Sequence, residues 1–170
     1  MKRPPHSKDL RKGRHSEPNA RYFVTFKAKP PSSSLCEPET HRAFKLTIEE
    51  LERDNVFEMI AHVLMPDHVH ILFRLGEILD LGKSISRLKF QFRKTSEPAK
   101  TYWQSGYYDH KLRNDSELHP ILHYIYMNPY RAKLTEINTT WPYLYFRAKE
   151  WQWFEPLLDK DCPYPEWLDR

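Results

Sequence analysis

Apolar positions along the chain fall into alternating and helical patterns that predict a mixture of strands and helices. Residues 21–27, 56–64 and 68–75 are rich in aromatic and β-branched side chains, which is typical of strands. Apolar residues spaced three and four positions apart predict one helix within 39–54 and another over 81–96. The second and third strands are separated by a Pro-Asp turn and therefore predict a β-hairpin.

The third predicted strand begins with two histidines, His68 and His70. Successive strand side chains point to opposite faces, so these two share a face while Val69 and Ile71 take the other. Two imidazoles side by side on a strand can occupy two positions in the coordination shell of a metal. The alternative is structural, with one histidine in the core and the other on the surface.

A third long helix is predicted from Leu118 to about Met127, with Pro129 marking its end because the residue before a proline disfavours helical backbone. Within it Tyr124 and Asn128 are four residues apart and project from one face. A divalent metal held by two imidazoles and an amide oxygen leaves positions open for phosphate oxygens. A nearby tyrosine could then attack the phosphorus, although an aromatic residue on a helix is also compatible with simple core packing.

Two polar patterns predict where helices begin. Thr47 followed by Glu50 forms a capping-box pattern, and Thr40 is an alternative cap for the same helix. Asn114 or Ser116 can cap the helix that starts near Leu118.

Length and composition indicate one folded domain with tails. The chain has 170 residues, of which 39% are hydrophobic and 14% aromatic. It contains no run of about 18 apolar residues, so no membrane span is expected. The basic N-terminus lacks the apolar core of a secretion signal, and the distant Cys36 and Cys162 suggest neither a disulfide framework nor a zinc site. A reducing cytoplasm is the expected compartment.

Charge is distributed unevenly. Residues 150–170 carry six acids and two bases, a net charge of −4, which leaves +8 on residues 1–149 of a chain with net charge +4. A basic body suits an anionic partner such as nucleic acid. We predict a flexible basic arm over 1–19, a domain over 20–145 and an acidic, Trp-rich extension over 146–170. That extension either docks on the basic body or packs as a simple addition.

Several cationic and aromatic residues are candidates for DNA contact. The helix over 81–96 has basic residues largely off its apolar stripe, a pattern that fits phosphate contact and also fits an ordinary solvated surface. The loop at 103–113 interleaves aromatic and basic side chains, which suits stacking on unpaired bases or core packing. The candidates are Lys83, Arg87, Lys89, Arg93, Lys94, Trp103, Tyr107, Arg113 and Arg131.

Three motifs occur in a recognisable order: MPDHVH at 65–70, WQSGYYDH at 103–110 and YIYMNPYRA at 124–132. In these motifs the chain resembles, over about residues 20–145, the REP-associated tyrosine transposases. Those proteins are relatives of the one-tyrosine HUH transposases that act on single-stranded DNA. The resemblance implies an α+β fold, a ferredoxin-like (RRM-like) sandwich with an antiparallel sheet and helices mainly on one face. One departure is Lys133, which stands where the family usually has glycine.

The resemblance also implies roles for individual residues. His68 and His70 would bind Mg²⁺ or Mn²⁺, Asn128 would complete the metal site, and Tyr124 would be the nucleophile. These roles predict cleavage and rejoining of single-stranded DNA at hairpin-forming repeats through a 5′-phosphotyrosine. Relatives outside the repeat-associated group assemble as dimers, whereas repeat-associated members are expected to act as monomers, so a monomer or a homodimer is expected.

Two alternatives remain open at this stage. One is a non-catalytic nucleic-acid-binding domain derived from a transposase, and the other is a His-x-His metallohydrolase that uses activated water. The expected location in each case is the bacterial cytoplasm, associated with the nucleoid.

Overall fold

The computed structural model of the chain describes residues 16–30, 34–95, 101–136 and 139–158. Its strands and helices are β1 (Arg21–Lys27), α1 (Pro38–Arg53), β2 (Phe57–Leu64), β3 (His68–Leu75), α2 (Leu81–Thr95), β4 (Tyr108–Lys111), α3 (Leu118–Arg131), β5 (Leu144–Phe146) and α4 (Ala148–Phe154). None of the described helices is long and apolar enough to cross a membrane. Most of the predicted arm, up to residue 15, and the acidic extension after residue 158 lie outside the described residues.

The five strands form one antiparallel sheet in the order β4-β1-β3-β2-β5. The first four strands and the first two helices follow one another as βαββαβ, with β1 and β3 at the centre. This order is that of a ferredoxin-like sandwich, and it confirms the predicted α+β fold class.

Alternation along the central strands gives each face of the sheet its own core. On the first face, Val24 of β1 and Ile71 of β3 are fully buried beneath α1 and α2. On the second face, Phe23 of β1 and Leu72 of β3 are buried with residues of α3 and α4. The two helices of the predicted sandwich therefore cover one face, and the helix that carries the tyrosine covers the other.

The segment after α3 adds to the second face. Strand β5 pairs with β2, and the Trp141 indole donates a hydrogen bond to the carbonyl of Leu64 at 3.1 Å. Arg147 forms an ion pair with Glu52, and Phe154 of α4 is fully buried in the core under α3. Up to residue 158 the extension therefore packs as part of the sandwich.

Helix α1 begins earlier than the capping-box pattern predicts. Its first turn contains Pro38, whose fixed φ suits the start of a helix. Thr47 lies in the helix interior, where its buried hydroxyl donates to the carbonyl of Ala43 at 2.9 Å. The prediction of a cap at Thr47 is wrong because a threonine hydroxyl can bond to the preceding turn as readily as to a helix N-terminus.

Helix α3 continues past the predicted end at Pro129 and reaches Arg131. Pro129 has no N–H to donate to the carbonyl of Ile125, and the helix nevertheless continues for two more residues. At the other end neither predicted cap is the N-cap of α3, which is Glu117; Asn114 instead caps the turn before it, where its side chain accepts a hydrogen bond from the Ser116 backbone N–H at 3.0 Å. This bond opens the short 3₁₀ turn Asp115–Glu117 that leads into α3.

A Schellman motif ends α3. The N–H of Lys133 donates to the carbonyl of Tyr130 at 3.0 Å, and the N–H of Leu134 donates to the carbonyl of Pro129 at 2.9 Å. Lys133 has φ of 56°, the left-handed conformation that such a cap requires. The turn therefore keeps its geometry although a lysine replaces the usual glycine. The left-handed backbone of Lys133 is strained, because it brings Cβ close to the following carbonyl oxygen.

Replacing Lys133 with glycine should raise the free energy of unfolding by about 1 kcal/mol, because the left-handed backbone no longer opposes a Cβ. Urea denaturation of the wild type and the variant measures this change. Lys133→Ala is the matched control, since it removes the charge and keeps the Cβ, and it should give no such gain. Equal stabilisation by alanine would contradict the strain.

His62 is a titratable side chain inside the first core. It is 1% exposed, stacks on Tyr145 at 5.1 Å between ring centroids and meets the Phe44 ring edge-on. Neither ring nitrogen has a hydrogen-bond partner among the described residues. Burial lowers the pKa of His62 well below its ordinary value of 6.5, and the nearby His41 and Lys45 lower it further.

This burial makes the fold sensitive to acid. The unfolded chain binds a proton at His62 below about pH 6.5 and the folded chain resists it, so the contribution of His62 to stability is lost as the pH falls. His62→Leu and His62→Gln should each lose less unfolding free energy than the wild type between about pH 7.5 and about pH 5.5, by up to about 1.4 kcal/mol. Urea titrations at both pH values test this, and an unchanged pH dependence in both variants would contradict it.

Candidate active site

The two histidines of β3 converge beneath α3. Their Nε2 atoms are 3.1 Å apart, and their rings meet edge to face with 4.8 Å between centroids. Val69 and Ile71 are fully buried on the opposite face, so His68 and His70 share a face as the alternation predicts. The pair thus presents two nitrogen atoms to one point in space.

Each imidazole is oriented through its Nδ1 atom. The Asp67 carboxylate lies 2.7 Å from Nδ1 of His68, and the Thr25 hydroxyl lies 2.7 Å from Nδ1 of His70. The hydrogen bond with His68 is the main reason that the pKa of Asp67 is lowered, so Asp67 accepts as a carboxylate. With Nδ1 engaged in this way, each ring turns its Nε2 atom towards the same point, as the rings of metal-binding histidines do.

His70 is the buried member of the pair, with 4% of its surface exposed, and it stacks on Phe23 at 5.6 Å between ring centroids. Burial lowers the pKa of His70 well below its ordinary value of 6.5, and the nearby charges of His68 and Lys27 act in the same direction. A hydrogen bond with the Asn128 side chain opposes this shift. His70 is therefore neutral at neutral pH, as a metal ligand must be.

Helix α3 brings its two candidate residues to the same place. The ring of Tyr124 meets His70 edge-on at 5.2 Å and Phe23 edge-on at 5.8 Å between centroids. Asn128 lies one turn further along, where its amide donates to the carbonyl of Tyr124 at 3.4 Å and also bonds with His70. The structure therefore places all four predicted residues, from a strand and a distant helix, around one point.

The donor set could hold an octahedral divalent cation. Two neighbouring ligands about 2.1 Å from an octahedral ion are about 3.0 Å apart. This value is close to the 3.1 Å between the two Nε2 atoms. No group of three or more His, Cys, Asp or Glu side chains is placed to hold a metal anywhere in the described part of the chain. An ion at His68 and His70 would take its remaining ligands from Asn128 and from solvent or phosphate oxygens.

Tyr126 points away from this site. It packs against Trp151, Phe154 and Tyr130 on the α4 side of the helix. Burial, followed by the hydrogen bond between the Tyr126 and Tyr130 side chains, raises the pKa of Tyr126 to about 12. The two tyrosines of α3 are therefore distinguishable by position, and only Tyr124 contacts the histidine pair.

Helix α2 packs on the other face of the sheet from the histidine pair. Two of its basic candidates form ion pairs, Lys83 with Asp80 at 3.1 Å and Arg87 with Asp54 at 2.5 Å. Arg93 and Lys94 are exposed near its C-terminal end, where both lie over an exposed phenylalanine ring.

The remaining candidates for DNA contact are spread over the molecule. Trp103 packs edge-on against Phe26 at 4.8 Å, which makes it partly a core residue, and Tyr107 also packs on the first core. Arg113 is exposed after β4, and Arg131 is exposed at the end of α3, where its charge reaches His123.

The sequence did not predict that Thr25 and Lys27 lie beside the histidine pair. Nor did it predict that Asp67 forms a hydrogen bond with His68. Thr25 pairs with His70 and Lys27 pairs with His68 across the β1–β3 ladder. The alternation of β1 could have placed Thr25 and Lys27 on one face, but the register between two distant strands is set only by the folded chain.

Comparison with known proteins identifies the family. Residues 22–128 match the family model described as "Transposase IS200 like". A provisionally named REP-associated tyrosine transposase of Haemophilus influenzae is 33% identical over 142 residues, which cover 74% of this chain and 78% of the relative. The REP-associated tyrosine transposase of Escherichia coli K12 is 29% identical over 126 residues, which cover 74% of this chain and 75% of the relative.

A solved structure shares the fold. It is the structure of a REP-associated tyrosine transposase bound to a REP hairpin, with a TM-score of 0.72 and 23% sequence identity, over 90% of this chain and 92% of that chain. The family model and the relatives confirm the resemblance seen in the three motifs. This chain is therefore a transposase that belongs to the IS200-like family, among the REP-associated tyrosine transposases.

Proposed function

We propose that this transposase is a metal-dependent endonuclease and strand transferase that cleaves and rejoins single-stranded DNA at hairpin-forming repeats through a 5′-phosphotyrosine. The main support is the contact of Tyr124 with His70, whose Nε2 atom lies 3.1 Å from that of His68. The proposed nucleophile and the proposed pair of nitrogen ligands therefore lie side by side in the folded chain.

In the proposed reaction the Tyr124 oxygen attacks a backbone phosphorus and forms a phosphotyrosine ester. The bond from phosphorus to the 3′ oxygen breaks, the phenol loses its proton to solvent, and the leaving oxygen takes one up as a 3′-OH. Attack by a 3′-OH on the phosphotyrosine reverses these changes and reseals a strand. One ester replaces another, so the reaction requires no ATP.

Mg²⁺ or Mn²⁺ held by His68, His70 and Asn128 would, when bound, neutralise charge on the phosphoryl oxygens. Around that site Thr25 and Asp67 keep the Nε2 atoms of the imidazoles facing each other. Phe23 shields the inner side of His70 from water. Lys27, exposed and opposite His68, adds a positive charge where a phosphate would lie.

The proposed substrate is single-stranded DNA with a hairpin. A structurally similar transposase is bound to a REP hairpin, and the excess of positive charge on residues 1–149 suits such a partner here. The proposed DNA contacts are the nine residues predicted from the sequence: Lys83, Arg87, Lys89, Arg93, Lys94, Trp103, Tyr107, Arg113 and Arg131. We propose that the protein acts in the bacterial cytoplasm at the nucleoid, as a monomer or a homodimer.

An alternative is a non-catalytic nucleic-acid-binding domain derived from a transposase. One observation favours it: within the described residues, the site offers two imidazoles and an amide without a carboxylate ligand, which makes a weak metal site. This alternative predicts binding of oligonucleotides that survives EDTA and gives no covalent adduct.

Tyr124→Phe should abolish the covalent protein–DNA adduct and reduce cleavage of a labelled hairpin oligonucleotide in Mn²⁺ by at least about a thousandfold, because it removes the attacking oxygen. A denaturing gel resolves both products. Tyr126→Phe is the matched control and should form the adduct at the wild-type rate. Cleavage that persists in Tyr124→Phe would point to activated water, and the absence of any adduct in the wild type would favour the non-catalytic alternative.

Thr25→Val should raise the Mn²⁺ concentration needed for half-maximal adduct formation by about 10- to 100-fold, because His70 loses the group that orients its Nδ1 atom. The maximal rate at saturating Mn²⁺ should stay near that of the wild type. Thr95→Val is the control, since the Thr95 hydroxyl bonds only within α2 in the described structure, to the carbonyl of Gln91. EDTA should abolish adduct formation in all three proteins, and adduct formation in EDTA would contradict the metal requirement.

A further inference from the structure

A groove of about 420 Å³ lies between α2 and the loop that precedes β4. Three of its lining residues are cationic, namely Lys29, Lys89 and Arg93, and none of the described residues that line it is acidic. A cavity of about 640 Å³ elsewhere on the surface is lined by three glutamates and two arginines, so acidic groups outnumber basic ones there. Of these two depressions, only the groove beside α2 is suited by its charge to an anionic chain.

Phe90 forms an exposed aromatic platform at this groove. Its side chain is among the large apolar groups left in solvent, with 49% of the residue exposed. The ammonium group of Lys94 lies 4.5 Å from the ring centroid, and the guanidinium carbon of Arg93 lies 5.9 Å from it. An exposed ring flanked by two cations offers a face for a base and charges for its phosphates.

The groove is held open by packing beneath it. Trp103 rests on Phe26 at 4.8 Å and on Phe92 at 5.6 Å between ring centroids. The Lys89 ammonium donates to the carbonyls of Gln104 at 3.2 Å and Gly106 at 2.6 Å, which ties the loop to α2. The loop that forms one side of the groove is therefore already in place before any ligand binds.

The end of β1 connects the groove to the candidate active site. The N–H of Ala28 donates to the carbonyl of Asp67, and the N–H of Lys29 donates to the carbonyl of Tyr102, both at 2.7 Å. Lys27 pairs with His68 on the active-site face, while Lys29 lines the groove. Two residues of extended chain span about 6.6 Å, so the backbones of Lys27, beside the histidine pair, and Lys29, at the groove, lie close together.

We propose that this groove binds the unpaired nucleotides next to the scissile phosphate, with one base stacked on Phe90 and the backbone running past Lys29 towards Lys27. This inference rests on the proposed function, since it supplies the single-stranded part of the same substrate. The proposed occupant is unpaired, because the bases within a hairpin stem are stacked between neighbouring base pairs and have no face free for Phe90.

The test uses the full chain carrying Tyr124→Phe, so that binding is measured without cleavage. Fluorescence anisotropy compares a blunt hairpin with hairpins that have a single-stranded extension on the 5′ or the 3′ side. Phe90→Ala should weaken binding of one extended hairpin at least about fivefold and leave the blunt hairpin unchanged. Phe90→Trp, which keeps an aromatic ring at this position, should bind the same extended hairpin with the affinity of the protein that retains Phe90.

Trp153→Ala is the matched control, because Trp153 is an equally exposed aromatic residue on α4, 47% exposed. Trp153→Ala should leave the affinities for the blunt hairpin and for both extended hairpins unchanged. Equal weakening of all hairpins by Phe90→Ala, or no weakening of any, would overturn the groove proposal.

The catalytic proposal is tested separately by adduct formation in the protein with Tyr124 intact. An adduct without Phe90-dependent binding would leave the proposed function standing and remove the groove. Phe90-dependent binding without an adduct would do the reverse.

Discussion

The pairing of β1 with β3 at the centre of the sheet is the constraint on which the site depends. It places Thr25 opposite His70, and the 2.7 Å contact between their side chains fixes the orientation of the buried imidazole. The same strand supplies Phe23, which stacks on that imidazole. A slip of one residue in this register would turn the side chains of one strand to the other face, and the histidine pair would lose its contacts with Thr25 and Phe23.

The two faces of the sheet carry different surface features. On one face α3 packs through buried residues such as Ile121 and Ile125, which carry Tyr124 to the edge of the histidine pair. On the other face α2 and the loop before β4 form a cationic groove. Lys27, the last residue of β1, lies opposite His68, and Lys29, two residues further along the chain, lines the groove. The proposed catalytic site and the proposed DNA-binding groove are thus both next to the C-terminal end of β1.

Much of the fold and the chemically distinctive residues could be predicted from sequence, because they depend on local pattern. The alternation after Pro66 gave the strand from His68, and a spacing of four placed Tyr124 and Asn128 on one side of a helix. The orienting role of Thr25 depends on the register between distant strands, which no local pattern encodes.

Helix ends and surface partners were predicted less well, for the same reason. Thr47 matches a cap motif but lies within α1, and α3 continues past Pro129 to a Schellman motif that satisfies its last carbonyls. Arg87 had no partner that the sequence could identify, and in the folded chain Asp54 forms an ion pair with it.

The proposed mechanism requires that His68 and His70 bind one cation. Electron–nuclear double resonance on Mn²⁺-loaded protein labelled with ¹⁵N-histidine tests this most directly: two directly coordinated ¹⁵N nuclei are predicted, and a spectrum with one or none would contradict it.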